Sequence, residues 1–252
     1  MEPKISIITI CFNDRDGLED TIASVAELEY KAIEYVVVDG GSTDGTLELI
    51  KSKAGLVTKY LSEPDRGIYD AMNKGLQISE GDYVIFMNAG DRFVNKQTLN
   101  MLSGSFLAAS PYVIYGDHLV IGAQRNNGYR KAMSIHNIHK GMICCHQSML
   151  FSRSCFGQRG FSCEYGPSGD YEFLLYLIRN NCRFEYKSIP VSIFSGGGLS
   201  DQSRLSTVYN GIKALKTHKF LNTRSFTSFS FLLMRAALFQ AYMKLKKVRA
   251  LS

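Results

Sequence analysis

The sequence contains no tryptophan, only five prolines and no pair of cysteines in CxxC spacing. Its six cysteines therefore match no zinc-binding pattern, and we expect them to be reduced thiols. The most apolar stretch, residues 226–243, is interrupted by Arg235 and Gln240, which argues against a membrane-spanning helix. The N-terminus leads directly into an apolar run, so no signal peptide is predicted.

Acidic residues are absent beyond Asp201, whereas residues 202–252 carry ten lysines and arginines. Residues 1–201 hold the other 19 basic residues and all 23 acidic ones, so the net charge of +6 arises from the tail. This distribution does not favour nucleic-acid binding by the protein as a whole. It predicts a basic tail that faces an anionic surface.

The first 110 residues alternate between apolar β-branched runs and segments of helical periodicity. Strands covered on both faces are predicted at residues 5–10, 35–38 and 83–87, with a further strand at 57–61. Helices are predicted at residues 16–27, 46–53 and from Ile68 to Leu76. This order predicts parallel βαβ units and an α/β fold.

The second half has a mixed pattern. Short strands are predicted at residues 112–115, 118–121, 148–151 and 183–187, and helices at 99–109 and 171–178. We therefore expect one domain over residues 1–201, with halves at 1–110 and 111–201, followed by a basic, amphipathic helical segment over 202–252.

Two carboxylates follow predicted strands, at the edge where open α/β sheets bind ligands. Asp39 ends the second strand and begins the loop 40–45, where it can accept a hydrogen bond from a nucleobase or ribose. Asp91 ends the run 87–91 and can hold a divalent metal that binds a diphosphate. For each site the alternative is local: a turn with a helix cap.

Two common nucleotide-binding motifs are missing. No Gly-Lys-Ser/Thr follows the loop 40–45, and residues 13–16 read Asn-Asp-Arg-Asp where a GxGxxG motif would lie. P-loop ATPases and dinucleotide-binding enzymes are therefore disfavoured.

Four segments in order resemble the family 2 glycosyltransferases with the GT-A fold. They are residues 5–13, 36–46, 63–75 and 86–91. The similarity extends over residues 4–200. Within the family, the sequence resembles the branch that builds bacterial capsule, exopolysaccharide and O-antigen chains, including colanic-acid-type enzymes. It implies a mostly parallel central sheet flanked by helices, a nucleotide-sugar-binding half at 1–110 and an acceptor-binding half at 111–201.

The resemblance also implies residue roles on the donor side. Asp39 would contact the base or ribose of the sugar nucleotide, Arg66 and Asn73 would help form the donor pocket, and Asn88 would bind ribose. Asp91 is the only carboxylate in the region of the family's DxD motif, which here reads Asn-Ala-Gly-Asp. It would hold Mn²⁺ or Mg²⁺.

The catalytic base is implied at Asp170, where Gly169 replaces the Glu often found before it. An inverting transfer needs one base to accept the proton of the acceptor hydroxyl. Glu172 is a weaker candidate, because residues two apart diverge around a helix. The alternative for Asp170 is a plain helix cap.

Weaker candidates lie beside the acceptor or the diphosphate. His146 and Gln147 resemble a His-Gln pair of this branch, with a hydrogen-bonded core histidine as the alternative. Residues 196–200 would form a flap whose amides reach phosphate, or only a flexible connection. Arg204 would pair with the diphosphate, or is a solvated surface charge.

The resemblance implies an inverting, metal-dependent transferase in bacterial surface polysaccharide synthesis, such as lipopolysaccharide or capsule. Its donor would be a UDP- or GDP-linked sugar, and its acceptor a polyprenyl-diphosphate-linked saccharide. The tail, with Phe229, Leu232, Ala236, Phe239 and Met243 on one helical seam, would bind the inner face of the cell membrane. The alternatives are packing on the catalytic domain or a homodimer interface.

Two other functions are alternatives to this interpretation. A catalytically degenerate sugar-nucleotide-binding scaffold subunit of a polysaccharide complex is suggested by the reduced motif at residues 88–91. A nucleotidyltransferase is disfavoured, because no Gly-rich loop bearing Arg or Lys follows the first strand.

Overall fold

The computed structural model of the chain describes residues 2–104, 111–122, 127–157, 159–196 and 203–249. The strands are β1 (Ile5–Cys11), β2 (Ile33–Asp39), β3 (Lys59–Ser62), β4 (Tyr83–Phe86), β5 (Arg92–Phe93), β6 (Tyr112–Ile121), β7 (Gly128–Arg130), β8 (Met149–Ser152) and β9 (Arg183–Ser195). The helices are α1 (Arg15–Ala26), α2 (Thr46–Ser52), α3 (Ile68–Ile78), α4 (Thr98–Ser103), α5 (Gly169–Arg179), α6 (Arg204–Thr217) and α7 (Thr223–Arg249). Short 3-10 helices lie at Ile135–Lys140, His146–Ser148, Arg153–Cys155 and Cys163–Ser168.

The described strands form one sheet in the order β3-β2-β1-β4-β8-β6-β9-β5, with β7 paired to β6. Strands β3, β2, β1 and β4 run parallel, as the βαβ pattern predicted. Strand β8 is antiparallel to both β4 and β6, and β6 is parallel to β9. The sheet therefore joins a parallel first half to a mixed second half, which confirms the predicted α/β architecture.

Helices cover both faces of this sheet. Successive residues of β1 point to opposite faces, so Ile7 packs in the cluster that contains Leu18 of α1, and Ile8 in the cluster that contains Met72 of α3. Both strand residues are fully buried. This explains why the strand lacks an alternating polar pattern.

The second half departs from the predicted element bounds. Strand β6 is continuous where two strands were predicted, with a register irregularity at Gly116–His118. Asp117, which lies between the two predicted strands, is buried and accepts hydrogen bonds from the Ala132 amide at 2.7 Å and the Tyr186 hydroxyl at 3.0 Å. Strand β9 runs on to Ser195, and α4 ends at Ser103, with residues 105–110 outside the described part.

The described part of the C-terminal segment is helical and packs against α5, since the ring centroids of Phe229 and Tyr171 lie 5.8 Å apart. Phe229 of α7 is buried and its ring lies in contact with Gly211 of α6, where an added Cβ would approach it to 2.6 Å. Phe239 and Met243 of the predicted seam lie outside the described side chains. Among the described residues, no helix combines the length and the apolar character needed to span a membrane.

All six cysteines lie in the described part of the chain, and none forms a disulfide. Burial raises the pKa of the Cys144 thiol, and it raises that of Cys145 to about 11. These thiols are therefore protonated and unreactive at neutral pH.

Candidate active site

The site lies beyond the carboxyl ends of β1, β2 and β4. Asp39, the last residue of β2, is completely buried. Its Oδ1 accepts a hydrogen bond from the Ser42 amide at 3.0 Å, and its Oδ2 accepts one from the Ser62 hydroxyl at 2.6 Å. The carboxylate therefore fixes the loop that follows β2. Because Asp39 itself is buried, residues next to it in space form the accessible surface at this end of the sheet.

An exposed aromatic ring lies beside this loop. Phe12 follows β1 and is 64% exposed, and its ring lies 3.2 Å from the position of an added Cβ at Gly40. Sequence reasoning did not single out Phe12. Its position directly after a buried strand was the signal that could have identified it.

Arg66 lies at the same edge, in the loop before α3. Its guanidinium is largely exposed and donates to Asp70 Oδ1 at 3.0 Å. This contact holds the pKa of Asp70 below its usual value. The preceding Asp65 reaches the loop after β2, since its Oδ2 lies 2.5 Å from the position of an added Cβ at Gly40.

Asn73 lies away from these residues. Its amide donates to the Phe161 carbonyl at 2.9 Å and accepts from the Phe161 amide at 2.8 Å. It lines a separate cavity of about 390 Å³ together with Arg153 and Arg159. The structure therefore does not bring Asn73 to the other candidate residues, and its contacts fix the segment before α5.

A larger cavity, of about 790 Å³, brings together five of the predicted residues. They are Asn88, His146, Gln147, Asp170 and Arg204. One wall is polar and follows β4 and α5. The apolar part of the lining, called the apolar wall below, includes Met133, Met142, Val208, Phe229 and Leu232.

Four side chains of the polar wall are linked by hydrogen bonds. Asn88 Nδ2 lies 3.1 Å from His146 Nε2, and His146 Nδ1 lies 3.3 Å from Asp170 Oδ2. The Tyr69 hydroxyl donates to Asp170 Oδ1 at 3.1 Å. These hydrogen bonds thus connect the turn after β4 with the 3-10 helix His146–Ser148, the first turn of α5 and α3.

The direction of each bond follows from donor and acceptor chemistry. An amide nitrogen only donates, so Nε2 of His146 accepts from Asn88, and Nδ1 carries the proton that faces Asp170. Burial raises the pKa of Tyr69, and the neighbouring Asp170 carboxylate raises it further, so its hydroxyl remains a donor. Asp170 is therefore a carboxylate that accepts from two side chains while lining the cavity.

Asp170 lies inside the first turn of α5, because the N-cap position belongs to Ser168. The N-cap alternative for Asp170 is therefore wrong in position, although Asp170 Oδ1 accepts from the Tyr171 amide at 2.7 Å within the first turn. A carboxylate in this turn is stabilised by the positive end of the helix dipole.

Asp91 lies beneath the cavity rather than in its wall, and it is 3% exposed. Its Oδ2 accepts from Gln147 Nε2 at 2.6 Å, and its Oδ1 accepts from the Ser195 amide at 2.9 Å. Burial raises its pKa to about 6, against the effect of these two hydrogen bonds. The helix-cap alternative is wrong here too, because Asp91 precedes the strand β5 and not a helix.

The oxygen atoms around this turn suit a hard divalent cation. Asn88 Oδ1 and Gln147 Oε1 are buried and have no hydrogen-bond partner among the described residues. Within the same residues no group of three His, Cys, Asp or Glu side chains could hold a metal ion. The turn therefore fits a cation that takes one carboxylate, amide oxygens and the remaining ligands from a bound diphosphate.

Glu172 points away from the cavity into a buried ion cluster. Its Oε1 lies 2.6 Å from His218 Nε2, and its Oε2 pairs with Arg159. Burial raises the pKa of Glu172, but the hydrogen bonds from His218 and Arg159 outweigh it and the net shift is downward. The divergence of residues two apart on a helix, expected from the sequence, therefore gives Glu172 and Asp170 different directions and different partners.

Basic groups line the cavity beyond the polar wall. They are His118, Arg130, Lys131 and Arg204. Burial lowers the pKa of His118, and the neighbouring Arg130 lowers it further, which disfavours the charged form of this imidazole. The predicted flap at 196–200 lies outside the described residues except for Gly196, whose amide donates to the Ile121 carbonyl at 2.9 Å.

Comparison with known proteins identifies a family and several similar sequences. A model of glycosyl transferase family 2 matches residues 6–165. An uncharacterized glycosyltransferase of Mycobacterium tuberculosis is 35% identical over 180 residues, which cover 69% of this chain and 68% of the relative. A PGL/p-HBAD biosynthesis glycosyltransferase of Mycobacterium bovis is 29% identical over 206 residues, covering 79% of this chain and 80% of the relative.

Solved structures share the fold at low sequence identity. S. aureus TarS 1-349 in complex with UDP-GlcNAc has a TM-score of 0.69 and 18% identity, over 85% of this chain and 65% of the TarS chain. The mannosyltransferase PcManGT from Pyrobaculum calidifontis, in complex with GDP-Man and Mn²⁺, has a TM-score of 0.67 and 15% identity, over 100% of this chain and 81% of that one. The GT-A fold expected from the sequence motifs is thereby confirmed.

Proposed function

The chain belongs to glycosyl transferase family 2, and from this premise we propose that it is an inverting enzyme using a nucleoside-diphosphate sugar. The observation that carries the proposal is the carboxylate of Asp170, which lines the large cavity and is linked through His146 to Asn88 after β4. A base in the acceptor cavity is thus connected to the sheet edge where nucleotides bind in α/β folds.

In the proposed reaction an acceptor hydroxyl enters the cavity beside Asp170. Asp170 accepts the hydroxyl proton while the oxygen attacks the anomeric carbon of the donor sugar. The bond between that carbon and the diphosphate oxygen breaks, and the nucleoside diphosphate leaves with the electron pair. Attack from the side opposite the leaving group inverts the anomeric configuration.

The donor, UDP- or GDP-linked, is proposed to bind along the ends of β1, β2 and β4. Phe12 offers an exposed ring for a base, Asp39 orders the loop beneath it, and Arg66 supplies a positive charge at the rim. Arg204 lines the cavity and is proposed to pair with the diphosphate. The complexes of TarS with UDP-GlcNAc and of PcManGT with GDP-Man support this class of donor.

We propose Asp91 and Asn88 as the protein ligands of Mn²⁺ or Mg²⁺. The buried, unpartnered oxygen of Asn88 and the carboxylate of Asp91 are hard ligands of the kind these ions prefer. The ion would neutralise charge on the leaving diphosphate. Mn²⁺ in the PcManGT complex supports a divalent cation.

The acceptor is proposed to be a polyprenyl-diphosphate-linked saccharide. The cavity combines an apolar wall with basic side chains, which suits an acceptor that carries both a lipid and an anionic group. On α7, Phe229 faces the cavity, whereas Phe226, Met234 and Leu238 are exposed. We propose that this outer face rests on the anionic inner surface of the cell membrane.

The proposal is tested by measuring thermal stabilisation by UDP, GDP, CMP and dTDP, each with and without Mn²⁺, and then sugar transfer from the matching donor. A ligand that binds the folded state raises the unfolding temperature by mass action. One nucleoside diphosphate should stabilise the protein more strongly with Mn²⁺, and its sugar conjugate should be turned over by wild type but not by Asp170→Asn. Binding without turnover in wild type would instead support the scaffold subunit.

A further inference from the structure

We infer that His146 is a positioning residue that couples the donor edge of the site to the catalytic base. The inference rests on the proposed function, because it concerns how Asp170 is held for its role. His146 contacts a residue of the turn after β4 with one ring nitrogen and a residue of α5 with the other. It is the side chain that joins Asn88 to Asp170.

The segment that carries His146 is held firmly in place. The next residue, Gln147, is 1% exposed and donates to Asp91. The hydroxyl of Ser148 is buried, donates to the Asp117 carbonyl at 3.0 Å and lies 2.7 Å from the Ser192 hydroxyl. The imidazole therefore projects from an anchored turn, and its orientation is set by Asn88 and Asp170 rather than by a mobile loop.

The two contacts of His146 have different consequences. The Nδ1 proton faces Asp170 Oδ2, whereas Oδ1 accepts from the Tyr69 hydroxyl and, at 2.7 Å, from the Tyr171 amide. The bond from His146 is therefore the contact that holds Oδ2, and together the three bonds fix the plane of the carboxylate. The Nε2 bond to Asn88 fixes the tautomer that makes the first bond possible. The contact of 3.3 Å is long for a hydrogen bond, as is usual for catalytic contacts before the substrates bind.

Through its bond to His146, Asn88 can transmit the binding of a donor to the position of Asp170. Its Nδ2 is used by His146, while its Oδ1 is buried and has no partner among the described residues. A donor or its metal that engages Oδ1 fixes the Asn88 side chain, and through Nε2 it fixes the imidazole that holds Asp170. The base is thereby aligned most firmly when the donor is bound.

The rival role, in which His146 is itself the base, meets a geometric obstacle. Its Nε2 is occupied by the Asn88 amide and its Nδ1 faces Asp170, so neither nitrogen is directed at the cavity as a free base. Asp170 keeps accepting capacity on Oδ2, since a carboxylate has about four lone-pair sites in total.

Two substitutions separate the two contacts of His146. The nitrogen of an asparagine side chain is bonded to Cγ, as Nδ1 of histidine is, so His146→Asn keeps a donor towards Asp170 and loses the contact with Asn88. His146→Gln places its amide one bond further out, so it keeps an acceptor for Asn88 and loses the donor towards Asp170.

The experiment measures kcat and donor KM for both variants with the donor and acceptor that wild type uses. We expect His146→Gln to lower kcat by roughly tenfold to a hundredfold, the loss of one hydrogen bond to a charged group, with little change in donor KM. We expect His146→Asn to recover most of that kcat and to raise donor KM several-fold. Unfolding temperatures within a few degrees of wild type show that both variants fold.

Three results would overturn the inference. They are equal losses of kcat in the two variants, a wild-type kcat in His146→Gln, and an inactive His146→Asn that still binds donor, which would make the imidazole itself the base. If His146→Gln does not fold, Asn88→Ala replaces it: the coupling lowers kcat as well as raising donor KM, and an effect on KM alone contradicts it. A wild-type protein that turns over no donor would refute the proposed function instead.

Discussion

Asp91 Oδ1 accepts a hydrogen bond from the backbone amide of Ser195 at 2.9 Å, although the two residues lie 104 positions apart in the chain. The other oxygen of the same carboxylate accepts from Gln147, beside His146. One buried side chain thus ties the turn after β4 to the end of β9 and to the segment that carries His146. The candidate site depends on these three segments keeping their relative positions.

This arrangement predicts that Asp91 contributes to stability, in addition to its proposed role as a metal ligand. Asp91→Ala leaves Gln147 Nε2 and the Ser195 amide without their acceptor, and we expect it to lower the free energy of unfolding by about 2–4 kcal/mol. Asp91→Asn keeps one acceptor oxygen and should lose about half as much, while its stabilisation by Mn²⁺ with the nucleotide disappears. Urea denaturation measures the first effect, and an unchanged midpoint in Asp91→Ala would contradict it.

Asp170→Asn should lower the rate of sugar transfer by at least about a hundredfold, because the amide cannot accept the acceptor proton. The substitution keeps the size of the side chain and an oxygen that can accept from Tyr69, so nucleotide binding should persist. Tyr69→Phe is the graded comparison, since it removes one hydrogen bond to the carboxylate and should cost roughly tenfold. Steady-state kinetics with purified donor and acceptor provide the measurement, and transfer at the wild-type rate by Asp170→Asn would refute its assignment as the base.

The first half of the fold was predictable because its signals are local. The apolar runs that became β1, β2 and β4 are buried on both faces, so each was visible without knowledge of its neighbours. Asp39 and Asp91 were correctly placed at the ends of strand-forming runs. What their carboxylates contact was not predictable, since Ser62 and Ser195 come from distant segments.

The second half was less predictable because its order depends on long-range pairing. Asp117 lies between two strands predicted from the sequence, yet in the structure it is part of the continuous β6 and its carboxylate accepts from Ala132 and Tyr186. The contact of Tyr69 with Asp170 joins residues 101 positions apart and has no sequence signature. Asn73 belongs to a motif from which a place in the donor pocket was expected, but its side chain binds the backbone of Phe161 instead. The position of a residue in a motif therefore does not determine what its side chain contacts.

The cluster around Glu172 predicts a stability effect without loss of catalysis. Removing the His218 imidazole leaves a buried carboxylate with Arg159 alone, and we expect His218→Ala to destabilise the fold by about 3 kcal/mol. His218→Gln retains a donor and should lose less. Both variants should keep the wild-type kcat when folded, because the cluster lies outside the cavity. A large fall in kcat at unchanged stability would instead place Glu172 in the reaction.

Glu34 predicts a pH dependence of stability. It is completely buried, it accepts from the Ser6 hydroxyl and the Glu80 amide, both at 2.6 Å, and it pairs with Lys59 at 3.1 Å. Burial raises its pKa, but these hydrogen bonds outweigh burial and lower the pKa to about 2, from 4.5. A depressed carboxylate pKa stabilises the folded state above pH 4.5, and this contribution is lost as the pH falls towards 2.

We therefore expect Glu34→Gln to lower the free energy of unfolding by about 1–3 kcal/mol at pH 7, and by progressively less as the pH falls below 4.5. Urea denaturation of both proteins at pH 7, 5 and 3 measures this difference. Glu80→Gln is the matched control, because Glu80 is exposed and its ion pair with Lys59 is screened by solvent, so the substitution should leave stability nearly unchanged. A difference between wild type and Glu34→Gln that stays constant across this range would contradict the assignment.

The outer face of α7 predicts binding to anionic membranes. Phe226, Met234 and Leu238 are each more than half exposed, and the chain beyond Asp201 carries basic but no acidic residues. Sedimentation with vesicles should show binding that needs anionic lipid and weakens with salt, since each basic residue near the surface contributes about 1 kcal/mol.

Replacing all three apolar residues by serine should weaken binding at least about tenfold, because their burial in the interface is lost. Tyr60→Ser, at an exposed aromatic residue of β3, is the control that should bind like wild type. The proposal would be contradicted if wild type does not bind the vesicles and is a dimer by light scattering, whereas the triple variant is a monomer. That result would show that a second copy of the chain covers this face.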